Sequence, residues 1–255
     1  MKNKIKFLFT QTKLLFKEIP AITTVCFVLS VVLMNLLANV SLVNTSWLAL
    51  DSGIILSWAT FIVMDVVCRR FGAAAANILS VFAIIVNLLI ILVFNVVRWI
   101  ALATPDLNGW LAVGTGSSFL DVMAGDWRVV LSSTIALLVA AFAQNGLNSM
   151  VKKTFKPDDP FKAFVVASYI STAVGQFIDN LVFAIFAHMI FAIWGSYLTI
   201  LQIVMFAATG ALVELICEII FSPVGYKIVK KWEEQRVGDT YLSFTYSDEQ
   251  ARRTL

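Results

Sequence analysis

Lysine and arginine cluster in every second connection between long apolar stretches of this chain, and that alternation constrains the fold more than any motif does. The basic segments are Lys2 to Lys17, Arg69 with Arg70, Lys152 to Lys162 and Lys227 to Arg236. The connections near Val40 to Ser46, Thr104 to Asp126 and Trp194 to Tyr197 carry neither residue. Basic residues close to span ends mark the cytoplasmic side, so the pattern predicts a polytopic membrane protein with an even number of spans and both termini inside.

Hydrophobic residues make up 60% of the 255 positions and charged ones only 14%. Such a chain is committed to the bilayer throughout and has no room for a separate globular enzyme. The formal charge of +3 comes from the cytoplasmic clusters, which suit an anionic inner leaflet; nucleic acid would need a dense basic face, and none is present. The basic start followed by apolar residues mimics a signal peptide. Its apolar part is too long, however, and lacks a small-residue cleavage site, so it is expected to stay as the first helix. Cys26, Cys68 and Cys217 are odd in number and far apart, which indicates neither a disulfide frame nor a metal site. They read as small packing residues.

A span needs about 20 apolar residues, and six segments qualify: 21–40, 47–68, 73–102, 129–150, 161–194 and 197–221. The expected fold is all-α, a single membrane domain over 1–255. Pro223 and Gly225 should stop the sixth span, with a short amphipathic turn through Trp232 beyond it. The polar tail over 238–255 is expected to be disordered. The outer connection 104–126 sets four glycines among Trp110, Leu111, Phe119 and Leu120, too apolar for an ordinary loop and too short to span, and reads as a re-entrant or interfacial cap.

A carboxylate at the centre of a spanning helix costs about 2.5–3.5 kcal/mol on insertion scales, so intramembrane acids are functional candidates by default. Asp65, Asp179, Glu214 and Glu218 are the acids concerned. Ser168, Thr172, Gln176, Asp179 and Phe183 follow one another at three or four residues and share one helix face. Gly210, Glu214 and Glu218 form a second stripe, Gln144 with Asn148 a third, and Asn87 lies eleven residues before Arg98. The plain alternatives are that Asp65 merely pairs with Arg69 one turn on, that the amides only glue helices, and that His188 packs. Carboxylates and amides near Trp58, Phe61 and Phe183 suit a flat heteroaromatic solute, whose adjacent N–H donors one carboxylate accepts together while its ring stacks. An ion pathway is the competing use, because buried acids also relay protons. The chain holds no HExxH, GxSxG or nucleotide-binding loop, so it is expected to be neither an enzyme nor an ATPase, and to need no cofactor.

Three segments carry a resemblance: MDVVCRRFGAAAAN (Met64 to Asn77), STAVGQFIDNLVF (Ser171 to Phe183) and ELICEIIFSPVGYKIVKKW (Glu214 to Trp232). In these the chain resembles the vitamin-uptake-like family of queuosine precursor transporters, compact six-helix inner-membrane proteins. The resemblance implies import of a 7-deazaguanine such as 7-cyano-7-deazaguanine, 7-aminomethyl-7-deazaguanine or queuine, and maps Asp65, Arg69, Gly72, Gln176, Asp179 and Phe183 onto family motif positions. The sixth helix departs: some members carry a lysine where this chain has Glu214 and Glu218, a change of sign that favours a cationic aminomethyl compound or queuine. Facilitated diffusion would suffice for a micronutrient trapped by later insertion into tRNA, with proton coupling through Glu218 as the other option.

Two further readings stay open at this point. The substrate-binding subunit of an energy-coupling-factor transporter has the same size and helix number, but such subunits dock through small residues at four-residue spacing on the first helix, where Ile22 to Val40 is mostly Val, Leu, Thr and Phe. A non-transporting scaffold or receptor would leave the acids unexplained. The oligomeric state is open, a homodimer included.

Overall fold

The computed structural model describes residues 2–103, 127–154, 160–193, 195 and 197–253, without the side chains of 2–4, 101–103, 141, 142, 144–154, 160–171 and 247–253. The cap segment 104–126 thus lies outside the described residues. In chain order the elements are α1 (Lys2–Glu18), α2 (Ala21–Leu37), β1 (Ser41–Asn44), β2 (Ala49–Asp51), α3 (Ile54–Phe71), α4 (Ala73–Ala103), α5 (Trp127–Thr154), α6 (Pro160–Ala184), a π-helical turn (Ile185–Ile190), α7 (Ile200–Glu234) and α8 (Asp239–Arg253).

Ala73–Ile100, Thr172–Ile190 and Ile200–Glu234 are long and apolar enough to cross a membrane, and α1 with α2 make a fourth candidate if their 105° bend is one broken span. α4 shows why a bilayer is required: Val81, Leu92 and Val93 are each more than half exposed on a helix that carries Ala76, Leu79 and Ala83 into the core. A surface that apolar has no place in water. α7 is the central helix, packed between α3 and α6, with α2 on α3 and α5 on α6.

Four expectations are corrected. The second span does not begin at Trp47, because 41–51 form an antiparallel hairpin with Asn44 opposite Ala49. The Thr45 hydroxyl donates to Leu48 O at 3.0 Å and closes the turn, and α3 starts only at Ile54. The fifth span ends its regular helix at Ala184, and α7 opens with a capping box between Thr199 and Gln202, whose amide also donates to Thr45 O at 2.7 Å and ties the hairpin down. Pro223 does not end α7, which runs on to Glu234 with the proline inside. Gly225 is a packing position rather than a helix stop: a Cβ there would stand 3.1 Å from Val66 of α3. The tail is not disordered over 239–253 but forms α8, and Lys2–Glu18 form α1.

α8 is held by long-range partners invisible in local sequence. Tyr241 is fully buried, edge-on to Phe71 at 6.0 Å, and its hydroxyl accepts from Gln11 Nε2 at 3.1 Å. Burial pushes the phenol above its ordinary pKa, against the pull of the Gln11 hydrogen bond. Phe7 stacks on Phe244 at 5.1 Å, and Arg70 Nη2 meets Asp239 Oδ1 at 2.7 Å. Both chain ends therefore lie at the same end of the molecule. Cys26 and Cys68, expected to be packing residues, are exposed.

Candidate functional site

A cavity opens among α2 to α7, comprising about 1050 Å³ free of protein atoms including the part open to the outside. Its walls are mixed: Phe61 and Met64 from α3, Leu137 from α5, Phe183 from α6 and Phe206 from α7 are apolar, and polar side chains converge between them.

Two of those polar groups are open. Asn87 is 1% exposed, yet neither its Oδ1 nor its Nδ2 has a hydrogen-bond partner among the described residues. Asp179 Oδ1 is likewise buried without a donor. Buried polar groups are almost always paired, which singles out these two side chains as the candidates for contact with a bound molecule. Glu214 is instead already engaged. It is 2% exposed, its Oε2 accepts from Asn180 Nδ2 at 2.9 Å, and the Ser57 hydroxyl is in hydrogen-bonding reach. Asn180 also donates to Gln176 O one turn back at 2.9 Å, which fixes its rotamer.

The sequence candidates divide. Phe61, Asn87, Asp179, Phe183 and Glu214 meet in the cavity wall. Gln176 and Glu218 do not line it and pair with each other just beyond, Nε2 to Oε2 at 3.4 Å. Trp58 lies outside the lining, its indole stacked on Phe221 at 4.6 Å and its N–H donating to Ile55 O. Asp65, a substrate candidate, does not line the cavity and pairs with Arg69 at 2.7 Å, the plain alternative for it. Arg98 is exposed on α4, away from the cavity. The side chains of Gln144 and Asn148 lie outside the described residues. His188 is fully buried behind the aromatic wall, 6.1 Å from the Phe183 ring and 5.7 Å from that of Phe206, a packing position as expected.

Sequence reading missed Asn180, Ser57, Thr60, Asn35, Asp51 and Phe206. Asn180 was legible as the residue one turn after Gln176, and Ser57, Thr60, Phe61 and Met64 form a stripe at helical spacing. Asp51 carries no such signal, because it reaches the cavity from a hairpin.

Apolar helices of spanning length, gathered around a cavity, define a polytopic membrane protein. The chain belongs to the family described as "putative vitamin uptake transporter", whose model matches residues 51–228. That match begins in β2 and ends within α7, so it takes in the elements that build most of the cavity and leaves out α1, α2 and α8. Neither the curated proteins nor the solved structures include a match.

Proposed function

We propose that this protein imports a queuosine precursor, a 7-deazaguanine, across a bacterial inner membrane through six spans with both termini in the cytoplasm. The observation that supports it best is the pair of unsatisfied groups in the cavity, the Asn87 amide and Asp179 Oδ1. A guanine-like ring carries two adjacent N–H donors, which a carboxylate accepts together, and elsewhere on its rim an acceptor beside a donor, which one amide matches. Asp179 takes the donor pair and Asn87 the mixed edge. Phe61 and Phe183 flank the ring, and Glu214 stands by to balance an aminomethyl cation. Alternating access then exposes the cavity to either side in turn.

The test is thermal stabilisation and binding with guanine, 7-cyano-7-deazaguanine, 7-aminomethyl-7-deazaguanine and queuine, repeated for Asp179→Asn. Stabilisation by a deazaguanine that the variant loses is the expected result. Absence of stabilisation by all four compounds would reject the substrate class.

A further inference from the structure

The strongest feature reaching beyond the cavity is the ladder of side chains leading from Glu214 in its wall toward the Asp65–Arg69 pair. Its outer rung is Glu214, buried at the cavity and bound by Asn180 at 2.9 Å. Its inner rung is Glu218, one turn along the same face of α7, where residues at this spacing sit about 5–6 Å apart between Cβ atoms. Gln176 joins the two rungs: its carbonyl on the backbone accepts from Asn180 and its side-chain Nε2 donates to Glu218 at 3.4 Å.

Gln176 is 2% exposed, and its Oε1 has no donor among the described residues. A buried amide with half its hydrogen bonds unmade is costly, and an ionised Glu218 cannot repair this because a carboxylate only accepts. A protonated Glu218 can: its O–H donates to Gln176 Oε1 while its carbonyl oxygen accepts from Nε2, closing a two-point acid–amide pair.

Resting on the reading of this protein as a transporter, we propose that Glu218 is a proton-carrying group that makes uptake a proton symport. Glu218 starts protonated and releases its proton to water at the cytoplasmic end; the carboxylate left behind is reprotonated from Glu214, which takes up the proton entering with solute from the cavity, so that one proton enters and one is released, with no other reactant. The groups around the ladder fit this direction. From α3, Asp65 and Arg69 act on Glu218, and both are partly exposed, at 39% and 44%. From α6, Asp179 acts on Glu214, as does Asp51 from β2. On α7 itself Cys217 stands beside Glu214.

Two measurements decide it. Infrared spectra of the purified full-length protein without solute should contain a protonated carboxyl C=O band at neutral pH that is lost in Glu218→Gln, a variant that keeps both hydrogen bonds to Gln176. In proteoliposomes with the membrane potential clamped at zero, an inside-alkaline gradient of one pH unit should drive accumulation of uncharged 7-cyano-7-deazaguanine by about tenfold, the limit for one proton per solute. Glu218→Gln should abolish accumulation yet retain exchange of labelled for unlabelled solute. A band unchanged by the substitution, or accumulation indifferent to the gradient, overturns the proposal. If none of the deazaguanines binds, the substrate assignment fails on its own, and the infrared band still decides whether Glu218 holds the proton.

Discussion

Gly210 of α7 lies so close to Asn180 of α6 that a Cβ built on it would stand 2.5 Å from the Asn180 Oδ1 and 2.8 Å from its Cγ. The missing side chain lets the amide sit against the α7 backbone, where it reaches Glu214 one turn on. A helical glycine that costs about 1 kcal/mol relative to alanine is thus explained by the side chain it admits.

Gly210→Ala should therefore lower stability and binding together. Helix propensity favours alanine by about 1 kcal/mol, but overpacking costs about 1–3 kcal/mol, and an Asn180 displaced from Glu214 leaves a buried hydrogen bond unmade, a further cost of about 1–3 kcal/mol. The melting temperature should fall, and affinity for the solute should fall about tenfold, the equivalent of about 1.4 kcal/mol. In an Asn180→Ala background the same substitution should have no further effect on affinity, because the coupled partner is gone. Additive losses in that double variant would show that Gly210 acts elsewhere.

Tyr241→Phe removes one hydroxyl and leaves the Gln11 amide, 3% exposed, without its acceptor. An unsatisfied buried donor costs about 1–3 kcal/mol, whereas Tyr241→Ala, which also empties the space against Phe71, should cost about 3–5 kcal/mol by analogy with large aromatic truncations. Limited proteolysis should cut the tail faster in the order wild type, Phe, Ala. Solute binding should persist in both variants, since α8 takes no part in the cavity.

The packing of Phe7 on Phe244 and of Arg70 on Asp239 brings α1 and α8 together, and the topology proposed above puts both in the cytoplasm. A green fluorescent protein should fluoresce when fused at either end, and alkaline phosphatase fused at either end should be inactive but active when inserted in the hairpin at 44–48. Opposite behaviour of the two ends would contradict the contact between α1 and α8.

Much of this was legible in the sequence because a spanning helix writes its own period and length. The Gln176–Asp179–Phe183 stripe and the Gly210–Glu214–Glu218 stripe are local patterns that α6 and α7 carry, whereas the edges of the second, fifth and sixth apolar segments shifted. The losses came where a partner distant in sequence decides the outcome. α8 has a polar composition that reads as disorder until Gln11, Phe71 and Arg70 are placed beside it. Trp58 reads as a stacking platform for solute, but Phe221 takes its face. The hairpin over 41–51 was hidden by apolar residues that suit a helix start equally well, and with it went the position of Asp51 in the cavity wall.

Asn87 offers the sharpest test, because its two polar atoms are a liability in the empty protein and an asset in the loaded one. With both buried and unpaired among the described residues, they carry a desolvation penalty of about 1–3 kcal/mol unless a bound molecule or water meets them. Leucine has nearly the same shape and no polar atoms, so Asn87→Leu should raise the melting temperature of the solute-free protein while lowering affinity by about tenfold to a hundredfold, the worth of about 1.4–2.8 kcal/mol. A structural role predicts the reverse: an amide that glues helices would lose stability on replacement and leave affinity nearly untouched. Melting curves of wild type and Asn87→Leu, with and without the solute that stabilises the wild type, distinguish the two. A variant that is less stable alone yet equally stabilised by solute would remove Asn87 from the recognition site and leave Asp179 to carry it.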